Sequence, residues 1–160
     1  MYEDITSFSP QAKPFNIQMT GISHCDETYC INRPDSSIYC FEYILEGTGY
    51  VKQNDTEFTA KKGDIYILSA KQNHYYYSDR NSPWTKIWFN IYGDFVDKTV
   101  ESYGIQQIYH IENYDLSPLF YDFLNHAKAS APIQEIFDQC ARIFHEIVQK
   151  IANHSSNLPV

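Results

Sequence analysis

The chain has 160 residues, enough for one domain with a substantial core, and its 43% apolar and 20% charged residues are ordinary for a globular protein. Twelve Lys and Arg against 20 Asp and Glu give a formal charge of −8, which argues against direct contact with a phosphate backbone. Fourteen Tyr, ten Phe and two Trp point to a ring-lined interior or a ring-lined cavity.

Residues 1–14, "MYEDITSFSPQAKP", contain two prolines and little periodicity, and read as an N-terminal arm. They have neither the basic start nor the apolar run of a signal peptide, and no later stretch is long and apolar enough to span a bilayer. A cytoplasmic location without membrane contact is therefore expected, with Cys25, Cys30, Cys40 and Cys140 reduced. His24, Cys25 and Cys30 could suggest zinc, but no paired CxxC supports such a site.

From 15 to 92, short runs rich in Tyr, Ile, Phe and Val alternate with turn signals such as "RPDSS", "EGTG", "QND", "KKGD" and "DRNSP". Turn signals at intervals of about 8–12 residues favour an all-β sandwich or barrel over βαβ units. The period then changes. "DFVDKTVESYG" predicts a helix ended by Gly104, followed by a short apolar stretch, "IQQIYHI". "SPLFYDFLNHAKA" predicts a second helix, with Ser117 as N-cap and Pro118 at its first turn. The clearest helix covers 132–153. Ile133, Phe137, Cys140, Phe144, Ile147 and Ile151 recur in steps of 4, 3, 4, 3 and 4, a coiled-coil-like seam widened by Ile136, Ile143 and Val148. The seam fits packing on the chain's own barrel and also fits a partner's copy; its width favours a homodimer through it. Residues 154–160 read as the start of a linker.

Catalytic signatures are missing: there is no GxSxG, Walker loop or HExxH. Cupin-type metalloenzymes place HxH and a carboxylate on one strand pair and a further histidine later. Gly63, Ser69, Lys71 and His74 keep the later spacing, but "IYCFEYILEGTGYV" stands where HxH belongs and contains no histidine. One imidazole does not hold a catalytic metal, which needs about three protein ligands. No metal site is expected.

Strand alternation sorts the rings. Trp84, Lys86, Trp88 and Asn90 share one face of the 84–92 segment, and Ile87, Phe89 and Ile91 share the other. His74 and Tyr76 share a face opposite Tyr75 and Tyr77. A face both aromatic and polar suits a sugar, whose C–H surface stacks on a ring while its hydroxyls need donors and acceptors. A Tyr/Trp stripe is as often plain core or a half-wet outer face.

The run "YCFEYILEGTGYVKQNDTEFTAKKGDIYILSAKQNHYYYSDRNSPWTKIWFNIYG" resembles the N-terminal sensor domain of AraC-type transcription regulators, in its LEGTGY hairpin, GDIYIL strand, HYY step and PWTKIWFNIYG segment. The resemblance covers roughly 15–112, with two helices following. It implies a mainly β chain: a cupin-type double-stranded β-helix (jelly-roll) barrel without metal or other cofactor, followed by dimerising helices over 113–153. It implies a small-molecule effector, a mono- or oligosaccharide; two cations in one pocket, Arg33 and Lys86, raise the option of an acidic sugar or sugar phosphate. It also implies a helix-turn-helix DNA-binding domain beyond these 160 residues. Carried over position by position, it implies ligand contacts from Ser23, Arg33, Tyr76, Lys86 and Trp88, with His74 kept for hydrogen bonding or packing. Arg33 would donate to hydroxyls or a carboxylate, Trp88 would stack, Tyr76 and Ser23 would exchange hydroxyl bonds, and Lys86 would donate from the opposite wall. Ligand binding would order the arm or shift the helices. The competing readings are a metal-dependent cupin enzyme, such as an isomerase or dioxygenase, and a filled barrel acting only in dimerisation.

Overall fold

Short antiparallel strands follow from the alternation between 16 and 92, because each buries one row of side chains and needs neighbours for its backbone. The computed structural model describes residues 1–156. The strands are β1 (Tyr2–Ser7), β2 (Asn16–His24), β3 (Cys30–Arg33), β4 (Tyr39–Glu46), β5 (Thr48–Gln53), β6 (Thr56–Lys61), β7 (Ile65–Leu68), β8 (His74–Ser78), β9 (Thr85–Tyr92) and β10 (His110–Ile111). The helices are α1 (Asp94–Ser102), α2 (Ser117–Ala127) and α3 (Ile133–Ser156).

The strands form two antiparallel sheets. One has the order β1-β2-β9-β4-β7-β10 and the other β3-β8-β5-β6. The chain crosses repeatedly between the sheets, and the two sheets enclose a lumen, giving the cupin-type barrel followed by helices. Tight turns set the registers. Asn54, at φ 51°, turns β5 into β6 with Gln53 opposite Thr56, a connection that favours Asn because it tolerates positive φ. Gly49 has no side chain because the Trp84 ring lies where its Cβ would be, 2.1 Å from the nearest ring atom.

The barrel has two distinct apolar layers. Phe41, Phe89, Ile87 and Ile91 face outward from the six-stranded sheet onto the helices. Phe89 stacks on Phe123 of α2 at 4.0 Å and on Phe41 at 5.3 Å. Inside the lumen, Cys40, Ile44, Val51, Tyr66, Tyr76 and Trp84 form the second layer. The parity reading of β9 therefore separates helix-facing from lumen-facing positions.

Four sequence expectations meet a different local structure. Residues 2–7 of the expected arm are β1, paired along its length with β2 at the edge of the larger sheet. Ser117 is the first residue of α2, not its cap. Leu116 is the N-cap and offers no side-chain cap; Asp115, just before it, accepts at Oδ1 from the Ser117 backbone N–H at 3.0 Å and hydroxyl at 2.6 Å. The seam of α3 is consumed within the protomer: Phe137, Cys140, Phe144, Ile147 and Ile151 are at most 1% exposed, and only Ile133 reaches solvent. A partner helix cannot touch those five side chains without opening the protomer. The expected linker begins as helix, since α3 continues through Ser156; residues 157–160 lie outside the described residues.

Candidate functional site

A cavity of about 190 Å³ opens in the lumen between the two sheets. Arg33, Tyr76 and Trp88 line it, together with Glu42 of β4, Asn90 of β9 and Glu3 of β1. Ser23, His74 and Lys86 stand immediately behind this lining, all of them fully buried or 1% exposed. The six residues singled out from the sequence are thus in one place, divided into a lining layer and a supporting layer.

Arg33 sits where β3 pairs with β8, directly across from His74. Its Nη1 donates to His74 Nδ1 at 3.1 Å and approaches Cys40 Sγ at 3.5 Å, while Nη2 donates to the Tyr76 hydroxyl at 3.3 Å. His74 Nε2 lies 2.6 Å from the Ser69 carbonyl oxygen, which can only accept, so the ring proton is on Nε2 and Nδ1 is the acceptor. Burial, reinforced by the Arg33 charge, pushes His74 down to about 4 and keeps it neutral. Both ring nitrogens are in use. Among the described residues, no three His, Cys, Asp or Glu side chains converge to hold a metal ion.

Lys86 does not point a free ammonium across the lumen. Its Nζ donates to Glu42 Oε1 at 2.6 Å and to the Tyr66 hydroxyl at 3.0 Å, with both charged side chains at most 2% exposed. The rings of Tyr76, Tyr29 and Trp84 surround the ammonium at 4.5, 4.7 and 4.8 Å. Burial is the largest influence and opposes its charge, but the Glu42 carboxylate together with neighbouring Tyr76 and Cys25 leaves Lys86 above its ordinary value. The donor role expected of Lys86 toward a ligand therefore belongs instead to this internal pair, because a buried lysine is held by the carboxylate nearest it. The Tyr66 and Tyr76 hydroxyls are pushed well above their usual range by burial and remain protonated.

Ser23 is likewise committed. Its Oγ accepts from the Trp88 indole N–H at 2.8 Å and donates to Glu3 Oε2 at 2.6 Å. The expected exchange of hydroxyl bonds with a ligand is replaced by a clamp that fixes the Trp88 ring and ties β1 to the barrel wall. Gly21, opposite Trp88 on β2, lets β1 approach: a Cβ there would lie 2.3 Å from the Asp4 carbonyl oxygen. Tyr75 and Tyr77, on the outer face of β8, are 41% and 39% exposed and border a shallow groove outside the barrel with Tyr50.

The sequence model of the family described as AraC-like ligand binding domain matches residues 16–154. The chain belongs to this family. A relative of this AraC-like domain, the Msm operon regulatory protein of Streptococcus mutans serotype c, is 24% identical over 117 residues, covering 73% of this chain. The chain spans 40% of that protein's length. Among solved structures, apo ToxT K231A from Vibrio cholerae has the same fold over 89% of this chain and 57% of its own, with a TM-score of 0.57 and 11% identity. The Schizosaccharomyces pombe Cnp3 cupin domain is similar at a TM-score of 0.46 and 16% identity, over 66% of this chain and 74% of that one. Among the described residues of this AraC-like domain, no helix is long and apolar enough to cross a membrane.

Glu42, Asn90 and Glu3 line the cavity without having been singled out as site residues. Glu42 had a signal: it is the one charge inside the apolar run "YCFEYIL", and parity puts it on the lumen face with Cys40 and Ile44. Asn90 lay on the face already recognised for Trp88. Glu3 had none, because its position follows from the docking of β1.

Proposed function

We propose that this domain is the effector-sensing part of a transcription regulator, and that its effector is a small sugar held in the lumen against Arg33, Tyr76 and Trp88. The observation that carries the reading is the lining itself. An indole, a tyrosine and a guanidinium with unused N–H groups line one recess between the two sheets of the barrel. Arg33 has five N–H donors, and its protein contacts use three of them. The cavity is smaller than the ~300–1,000 Å³ of drug-sized sites, so it suits one monosaccharide ring and not an oligosaccharide.

The role is binding and not catalysis: His74, Lys86 and Ser23 behind the lining are engaged as donors and acceptors, and the Cys40 thiol is held inert by burial, which pushes it up to about 12. The attached DNA-binding unit, the homodimer and a cytoplasmic setting belong to the same reading. Effector binding would act through β1, whose Glu3 lines the cavity, or through α2 and α3, which pack on the back of the strands carrying Trp88 and Glu42. A ligand shifts such an equilibrium only by its differential affinity for the two states.

Calorimetric titration tests this. A binding sugar is expected with a dissociation constant of about micromolar to millimolar, roughly 4–8 kcal/mol. Trp88→Ala and Arg33→Ala should each weaken it by at least about tenfold. If both variants bind like wild type, the lumen is not the effector site.

A further inference from the structure

The lining holds more polar equipment than a stacking ring and one cation require. Asn90 is 6% exposed and opens on the cavity, yet its amide makes no side-chain hydrogen bond among the described residues. Glu42 is 2% exposed, and only its Oε1 is taken up by Lys86, so the carboxylate keeps acceptor capacity toward the same space. In the pairing of β4 with β9, Trp88 stands opposite Glu42 and Asn90 opposite Cys40. Glu42 and Asn90 are therefore diagonal neighbours on the lumen face, within about 7–8 Å at the backbone, and they flank the Trp88 ring. The amide nitrogen and oxygen of Asn90 are not among the fully buried unpartnered atoms, so they stay accessible from the cavity, where a bound hydroxyl can take the place of solvent.

We propose that the effector is an electrically neutral ring bearing adjacent hydroxyls, and that Glu42 and Asn90 are the specificity-determining residues that read that pair. The proposal rests on the lumen being the effector site. An amide both donates and accepts, and a carboxylate only accepts, which matches two hydroxyls that each donate and accept. Charge sets the remainder. The lining carries two carboxylates, Glu3 and Glu42, against one guanidinium, Arg33, while the Lys86 ammonium lies behind the lining and is already paired. Since Lys86 neutralises Glu42, and Glu3 balances Arg33 in net charge, a uronate or a sugar phosphate would enter a site with no excess cation to compensate it. The expectation of an acidic ligand drew on two free cations, and only Arg33 remains free of a carboxylate partner among the described residues.

The test is a calorimetric panel on the whole domain: D-glucose, D-galactose, D-mannose, L-arabinose and D-xylose, then D-glucuronate, D-galacturonate, glucose 6-phosphate and galactose 1-phosphate. A neutral member should bind, and its charged counterparts should bind at least about 100-fold more weakly, since an anion taken out of water needs a compensating cation and the site has none in excess. Asn90→Ala should weaken the neutral sugar about tenfold while leaving the melting temperature of the free protein near wild type, because Asn90 has no protein partner to lose. Glu42→Gln alone would strand the Lys86 charge. The double variant Glu42→Leu, Lys86→Met removes the pair together and should stay folded while losing sugar binding. A charged sugar bound as tightly as its neutral counterpart, or a neutral sugar bound equally by Asn90→Ala, overturns the proposal and leaves the lumen site standing. Binding of none of the nine compounds overturns the lumen reading itself.

Discussion

His74 gives its Nδ1 lone pair to the Arg33 guanidinium and its Nε2 proton to the Ser69 carbonyl, and it can do both only as neutral imidazole. That arrangement fixes the direction of a pH effect. The unfolded chain binds this proton below about 6.5, and the folded chain only below about 4. Between those values the unfolded state holds more protons, so the His74 contribution is complete above pH 6.5 and is lost as pH falls toward 4. The slope from this one group approaches about 1.4 kcal/mol per pH unit within the window. Denaturant midpoints measured from pH 7 to pH 4.5 should fall more steeply for wild type than for His74→Gln, whose amide replaces donor and acceptor without titrating. Identical slopes would mean that His74 takes up its proton at the same pH in the folded and unfolded chains, contradicting this account. The position of His74 on the buried face of "HYYY" was legible from alternation alone. Its partners were not, because the Arg33 that takes its lone pair lies 41 residues away, and strand pairing decides which residue meets it.

The α3 seam shows what periodicity can and cannot say. The recurrence of Phe137, Cys140, Phe144, Ile147 and Ile151 marks a buried stripe, and the stripe is there. Periodicity does not say what covers it. Here the cover is the back of the six-stranded sheet and α2: Phe144 meets Phe41 edge-on at 5.6 Å and lies 5.8 Å from Phe15. Phe144→Ala should therefore cost about 3–5 kcal/mol of protomer stability. The loss of melting temperature should be the same at every protein concentration, with no change of sedimentation mass in the folded fraction. A lighter folded species with an unchanged melting temperature would return Phe144 to a subunit interface. β1 was misread for a related reason. "YEDITS" is short and polar, with little to mark it as a strand, and it pairs only because β2 offers an edge and Gly21 leaves room.

At the scale of the molecule, one division of labour explains most of the sequence. Outward-facing residues of the larger sheet hold the helices, and inward-facing residues build a polar, ring-walled lumen. The barrel and the helical pair were legible because turn spacing, strand alternation and helix periodicity are local properties. The cavity lining was legible in outline, as Arg33, Tyr76 and Trp88. The split between lining and support was not, because it depends on cross-strand partners: Glu42 takes Lys86 and Ser23 takes Trp88, over 44 and 65 residues respectively. The central claim is that the effector lies against Trp88. The two tryptophans both belong to the lumen, and Trp84 is fully buried against Tyr66. In a Trp84→Phe background, Trp88 is the sole indole emitter, so a fluorescence titration with the sugar found by calorimetry reads this wall alone. The account predicts a saturable change in Trp88 emission at the calorimetric dissociation constant. Calorimetric binding with no change in Trp88 emission would contradict it.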